Sequence, residues 1–442
     1  MNTENSNVLL ESLKRGFQAE NRQSNEIQSL RVTAFDRFTQ MGFPGSRHEE
    51  WRNSGVQSVL NKPFSIEGKT QDLDPSTLAK AKIADLDAYT LVVQNGVLEN
   101  KPEPDRVIPG VRILGFEEAR QDEVFLKHFA QYADRTQNPF VALNTAIARG
   151  GFFIHIAPEV KLRKPIHIIQ VAGADTPLMY HSRNLILVDK GAEAEVIESF
   201  VSQEGTNETL ANNVTEVVVA ESGTLEHYYL QIADKESHYI NHTEIVQEKA
   251  SLYNHYNCNL PGAQFVRNNL NIRLQDENVE SHLYGINLTA GDQIVDNHTE
   301  VDHLFPNCES YEWYKNIIQE TSTVIFNGKI FVREDAQKTN AFQQNNNMLF
   351  GDRAVIFTKP QLEIFADDVK CSHGCTIGQF DEEALFYLQS RGIGRDQAQV
   401  LLVHAFAFDV TERFKNKVLK QYVDHLIEAG MILNQGDLLL QA

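Results

Sequence analysis

The chain has 442 residues, with 40 basic and 60 acidic side chains and a formal net charge of −20, a balance that argues against general affinity for nucleic-acid phosphates or anionic lipid. At 42% hydrophobic and 23% charged residues, its composition is that of an ordinary globular protein, long enough for several domains or for one elongated repetitive domain with helical ends. Four cysteines, Cys258, Cys308, Cys371 and Cys375, are too sparse for a disulfide framework and read as buried apolar groups or metal ligands.

The first residues, Met1 to Asn7, lack the basic flank and apolar stretch of an export signal, so a cytoplasmic location is expected. From residue 25 to 41, Ile27, Leu30, Ala34, Phe35, Phe38 and Met41 recur three and four apart, the pattern of a one-sided helix, and Gly42 and Pro44 stop it. Leu91-Val92-Val93 before Asn95-Gly96 reads as a strand entering a turn. Residues 1–100 are therefore predicted to be a mainly helical N-terminal region with a few strands at its end.

Between about 152 and 377 the texture becomes many short β-branched or aromatic runs separated by Gly, Asn and Asp turns. Strands are predicted at 152–156, 165–171, 184–188, 193–200, 214–220, 224–231, 239–246, 251–257, 269–274, 279–288, 323–326, 329–332, 354–358 and 361–366. So many strands suit a sandwich, barrel, propeller or solenoid, and a solenoid grows without a size limit because each coil packs only on its neighbours. The polar tract Gln343-Gln344-Asn345-Asn346-Asn347 suits turns or stacking across coils. No strict residue repeat is visible.

Helices return after Ile377. Phe380, Asp381 and Leu385 fit the N′, N-cap and N4 positions of a stapled start, and Arg391-Gly392 fits the end of that helix. Further helices are predicted at 395–408 and 411–429, the latter with Phe414, Val418, Tyr422, Val423, Leu426 and Ile427 on one side.

Three stretches bring a family into view: Gly42-Phe-Pro-Gly-Ser-Arg-His-Glu-Glu-Trp51; Phe140 to Ile147 with Phe152 to Pro158 and Lys164-Pro165-Ile166; and Asp367 to Gly378 followed by Leu385 to Ile393. Their order and spacing resemble the SufB/SufD family of iron-sulfur cluster assembly proteins, over residues 40–430 or so. Cys371-Ser372-His373 resembles the SufD branch, where the SufB branch has Glu before the His.

The resemblance implies a right-handed parallel β-helix core, placed at residues 101–379, flanked by the helical N-terminal region and a C-terminal helical domain at 380–442. It implies a non-catalytic scaffold that pairs with a SufB-type paralogue and docks a SufC-type ABC ATPase on the C-terminal helices, with homodimerisation of the isolated chain as an alternative. A transient iron-sulfur cluster, or iron, would form at the paralogue interface, with none tightly bound in the isolated chain.

On a strand, Cys371 and His373 would share one face with Cα atoms roughly 6.5 Å apart, and Cys375 would fall on that face too, roughly 13 Å from Cys371 unless Gly374 bends the chain. A tetrahedral iron or zinc site wants four ligands, so this pair would need a second chain or bound sulfide to complete it. On the residues alone such a pair also reads as structural, since cysteine is often buried; the resemblance favours Cys371 and His373 as metal ligands. Cys375 departs from the Ala of many relatives and remains open between ligand and core filler.

Cys258 and Cys308 are read as core or surface thiols, and His227, His238, His242, His255, His282, His298 and His303 as hydrogen-bonding rather than ligating, for want of ligand spacing. His404 is read as a packed interface residue. No phosphate-cradling Gly-x-x-x-x-Gly-Lys-Ser/Thr loop occurs. The rivals are a β-helical carbohydrate-active enzyme, which would need acidic groups in a solenoid groove, and a purely structural adaptor with no metal role.

Overall fold

A computed structural model describes residues 3–20, 26–100 and 108–432. Asn25, the boundary placed at residue 101 and residues 433–442 of the expected C-terminal domain lie outside the described residues. Helices α1 (Thr3–Glu20), α2 (Glu26–Met41), α3 (Val56–Leu60) and α4 (Pro75–Ala81) come first, then β1 (Tyr89–Gln94), β2 (Val97–Asn100) and β3 (Val111–Gly115). Helices α5 (Phe116–Ala119), α6 (Glu123–His128) and α7 (Pro139–Ile147) follow.

The strand run opens with β4 (Phe152–Ile156), β5 (Ile166–Ala172), β6 (Leu178–Val188), β7 (Glu193–Ser202), β8 (Thr209–Val219), β9 (Thr224–Gln231), β10 (Ser237–Gln247) and β11 (Leu252–Asn259). It continues with β12 (Phe265–Leu274), β13 (Glu280–Thr289), β14 (Ile294–His303), β15 (Glu309–Gln319), β16 (Thr323–Val332), β17 (Asn340–Phe350), β18 (Val355–Ile364) and β19 (Lys370–Gln379). Helices α8 (Glu382–Ser390), α9 (Arg395–Thr411) and α10 (Lys417–Ile432) end the described chain.

Successive strands alternate between two sheets, ordered β19-β17-β15-β13-β11-β9-β7-β5-β1-β2 and β18-β16-β14-β12-β10-β8-β6-β4-β3. Among β4 to β19 every pairing is parallel and joins strands two apart in sequence, while β3 pairs with β4 antiparallel and β1 with β5 parallel. Two strands thus make one coil of a parallel β-solenoid, flanked by helical N- and C-terminal regions. The expected β-helix architecture is the one observed.

Parallel register without shift stacks each inward side chain on its counterpart one coil away. Asparagines exploit this, since an amide can donate to the coil on one side while accepting from the other. In one sheet Asn213 donates to Asn241, Asn241 to Asn268 and Asn268 to Asn297, at 2.9, 2.9 and 3.0 Å. In the other, Asn259 donates to Asn287, Asn287 to Asn316 and Asn316 to Asn347, at 2.6, 2.5 and 2.6 Å. The two ladders meet across the interior where Asn297 donates to Asn287 at 3.3 Å and Asn268 to Asn259 at 3.4 Å. Apolar stacks flank this polar seam: Val217, Ile245, Ile272, Val301 and Ile330 on one side, Tyr239, Val266, Val295 and Val324 on the other.

The ladders explain where strand prediction fell short. β14, β15, β17 and β19 carry Asn, His, Glu and Gln at inward positions, so they lack the apolar alternation that marks a strand facing a greasy core. The polar tract at 343–347 stacks across coils. The separate strands expected at 323–326 and 329–332 are one strand, β16, running through Asn327-Gly328. Gly328 is a clearance and not a turn: a Cβ there would lie 2.3 Å from Gln343 Nε2, which crosses the interior above it. The strands expected at 354–358 and 361–366 likewise form one strand, β18, through Pro360, tolerable because β18 is an edge strand.

Both sheets are clad on their outer faces. Over the nine-stranded sheet, Glu216 pairs with Arg183 at 3.0 Å, both buried, and accepts the backbone N–H groups of Ala130, Tyr132 and Ala133, each at 2.8 Å. Over the ten-stranded sheet, stacked Tyr228 and Tyr256 hold Phe414, and Lys315 bonds Asp409 at 2.5 Å. The α8 cap forms as expected, Asp381 Oδ1 accepting Ala384 N at 2.9 Å, while Phe380 and Leu385 join the core shared with the sheet. The last helix starts later than expected because Asn416 caps it, accepting Leu419 N at 3.0 Å, and the Tyr228 hydroxyl takes the preceding N–H groups.

Replacing a ladder asparagine strands its neighbours in a dry interior. Asn287→Ala is expected to destabilise the fold by about 1–3 kcal/mol, read by denaturant unfolding, whereas Gln344→Ala on the exposed outer face of β17 should stay within about 0.5 kcal/mol. Equal effects would refute the structural weight of the ladder.

Candidate metal centre

The ten-stranded sheet ends at β19 and the nine-stranded sheet at β18, so the last coil shows its interior and two unpaired strand edges. Val355, Phe357, Ile364, Phe365 and Ile377 are exposed here, Phe365 by 58% and Ile377 by 54%. The inward positions one coil back from Ile364 and Ile377, Val332 and Asn347, are buried.

Cys371, His373 and Cys375 lie at this end. In β19 they sit opposite Ala341, Gln343 and Asn345 of β17, all three of which are buried inward residues. They therefore face the open interior, on alternate positions of one strand face. Cys371 is partly buried against the apolar core, and burial raises its thiol, tempered by a backbone hydrogen bond with Ala341. His373 is exposed. The Cys375 thiol lies 3.5 Å from Thr358 Oγ1 of the facing edge strand and 3.8 Å from Asn347 Nδ2.

Gly374 does not bend the strand, because β19 keeps unbroken register with β17 from Lys370 to Gln379. Cys371 and Cys375 thus stay two pleats apart, roughly 13 Å, beyond a shared ion. All four cysteines are free. Among the described residues no cluster of three or more Cys, His, Asp or Glu has the geometry to hold a metal.

The other histidines named above have local partners. His227 bonds Glu198 at 2.9 Å, His238 the Thr209 carbonyl at 3.0 Å, His242 Glu244 at 3.2 Å, and His255 the Tyr253 hydroxyl at 3.1 Å. His282 meets Asn254 at 2.7 Å and His303 meets Ser310 at 2.8 Å. Cys258 is buried beneath the C-terminal helices, Cys308 donates to the Asp276 carbonyl at 3.2 Å, and His404 faces Asp424 of α10 at 3.7 Å.

Sequence reasoning did not find the clamp beside this end. The segment ending Glu49-Glu50-Trp51 lies along the outer face of the nine-stranded sheet and touches four successive strands. Arg267 of β12 stacks on the Trp51 ring at 3.7 Å and donates to the Glu50 carbonyl at 2.7 Å. Glu50 then takes His298 of β14 at 3.1 Å and Asn327 and Lys329 of β16 at 3.2 and 2.7 Å, and Glu49 takes Lys359 of β18 at 2.6 Å. A cleft of about 530 Å³ opens between this clamp and the solenoid end, lined in part by Ile356, Phe357, Thr358 and Ile377. The only signal in the sequence was the Glu-Glu-Trp spacing itself.

The fold is thus a parallel β-solenoid whose last coil presents a thiol and an imidazole on its open inner face. Models of the SufBD core domain of SUF-system FeS cluster assembly and of the SufBD N-terminal region match residues 169–406 and 13–168 respectively. The chain belongs to the SufBD family. It is 32% identical over 394 residues to the iron-sulfur cluster assembly protein SufD of Escherichia coli (strain K12), covering 86% of this chain and 88% of that one. An iron-sulfur cluster assembly SufBD family protein of Synechocystis is 29% identical over 415 residues, 91% of each chain, and the chloroplastic protein ABCI7 of Arabidopsis thaliana 26% identical over 424 residues, 93% and 88%.

The clamp yields a pH test. The hydrogen bond from His298, and behind it that from Lys329, hold the Glu50 carboxyl well below its usual range despite burial. A carboxyl depressed in the folded state adds stability above its unfolded pKa, about 4.3, and loses it as pH falls toward the folded value. Glu50→Gln should therefore be less stable than wild type at pH 7, and the gap should narrow as thermal unfolding is followed from about pH 5 downward. A gap independent of pH would place the clamp's strength elsewhere.

Proposed function

We propose that the chain is a non-catalytic scaffold subunit that builds iron-sulfur clusters as cargo together with a SufB-type paralogue. The observation that carries this reading is the Cys371–His373 pair on the exposed inner face of the last coil: two ligands of the right types, too few to close a site, beside unpaired strand edges. A paralogous solenoid end would extend both sheets, bury the exposed apolar rim and add the missing ligands. Cys371 and His373 would hold iron or a transient cluster there, and the isolated chain would keep none tightly. A homodimer could use the same edges in the paralogue's absence.

The exposed face of the C-terminal helices, with Phe386, Tyr387, Leu401 and Phe408 uncovered, supports docking of a SufC-type ABC ATPase, in keeping with the family. ATP hydrolysis belongs to that partner, since this chain has no phosphate-cradling loop. No helix of the described residues is long and apolar enough to cross a membrane, in keeping with work in the cytoplasm.

His373→Ala is expected to leave folding and complex formation intact while the iron and sulfide content of the purified complex falls severalfold. Cys371→Ser should act in the same direction and Cys375→Ala should be nearly silent. Normal cluster content in a folded His373→Ala complex would remove the ligand role and favour a purely structural adaptor. Separately, Phe386→Glu with Leu401→Glu should abolish copurification of the ATPase and spare that of the paralogue; retention of the ATPase would move its docking surface elsewhere.

A further inference from the structure

Gln343 lies one rung below His373, opposite it in register and facing the same interior. It is buried, and its Nε2 donates to Glu312 at 2.7 Å, while Thr299 Oγ1 donates to the other Glu312 oxygen at 2.6 Å. Burial pushes the Glu312 carboxyl up to about 7, with Thr299 and Gln343 opposing the rise. Once Glu312 ionises above about 7 its carboxylate only accepts, which holds the Gln343 amide with its nitrogen toward Glu312 and its oxygen away. That oxygen, Oε1, is buried and has no hydrogen-bond partner.

Several buried amide oxygens lack a partner among the described residues, and this one lies in register with His373. The facing strand gives up a side chain at Gly328 to let the Gln343 amide pass, since a Cβ would lie 2.3 Å from Nε2. The next rung outward, about 4.8 Å away along the sheet, offers one ring donor, the N–H of His373. A histidine that binds metal through one nitrogen characteristically has the other held by an acceptor, which fixes the tautomer and the ring plane.

We propose that Gln343 is the positioning residue for His373: a turn of the His373 side chain brings one ring N–H to Gln343 Oε1, fixing the tautomer and leaving the second ring nitrogen free toward the partner chain. This rests on His373 acting as a ligand, but its test reads the ring directly. The full-length protein, with ¹⁵N-labelled histidine, is followed by NMR at alkaline pH, where both the ring is neutral and Glu312 ionised, and His373 is assigned by difference against His373→Gln. Wild type should show a single His373 tautomer. Gln343→Met, close in shape but without an acceptor, should show a mixture of both, whereas Thr299→Val, which removes the other donor to Glu312 and leaves the Gln343 oxygen in place, should keep one.

In the complex, Gln343→Met should hold iron roughly tenfold or more weakly at unchanged yield of the paralogue pair, and Thr299→Val should hold it as wild type does. A single unchanged tautomer in Gln343→Met, or a mixture in wild type, would overturn the proposal. If the tautomers behave as expected but His373→Ala keeps normal cluster content, the positioning stands and the ligand reading fails.

Discussion

In-register stacking of coil upon coil is the constraint from which the rest of this molecule follows. Each inward position must satisfy the residue above it and the one below, so side chains are selected as columns. Columns of Val and Ile bury apolar area, and columns of Asn close hydrogen bonds in the buried interior. The polar columns add specificity: a coil slipped by one residue would turn every amide outward and every outward charge in. A dry column tolerates no such error.

The same rule makes the last coil special. A column has to end, and here it ends on Cys371, His373 and Cys375 with no coil above them. Helices clad the outer faces of both sheets, while β18 and β19 keep free edges and an apolar rim. The Glu49-Glu50-Trp51 clamp secures the outer face of these last coils and leaves the inner face and edges open. An end that is rigid behind and bare in front suits a surface completed by a matching solenoid.

Much of this was legible in the sequence. The helix from α2, the capped start of α8 and most of the apolar strands announced themselves by periodicity and caps, whereas the Cys371–His373 pair was singled out by the family resemblance, its spacing alone fitting a structural pair better. The strands that escaped, β14, β15, β17 and β19, are those whose inward residues belong to polar columns, and a column is a relation between coils about thirty residues apart that a local window cannot register. Asn327-Gly328 misled for a related reason, because the glycine answers to Gln343 on the facing strand and not to its own neighbours. The clamp was hidden likewise: Glu50 meets its partners across more than two hundred residues.

The account turns on whether His373 touches the cargo. The most direct measurement is pulsed electron paramagnetic resonance of the reduced cluster in a complex where only this chain carries ¹⁵N-histidine. The account predicts a ¹⁵N hyperfine coupling of directly bound strength that vanishes in His373→Ala. A spectrum without ¹⁵N coupling, or one that survives that substitution, would contradict it.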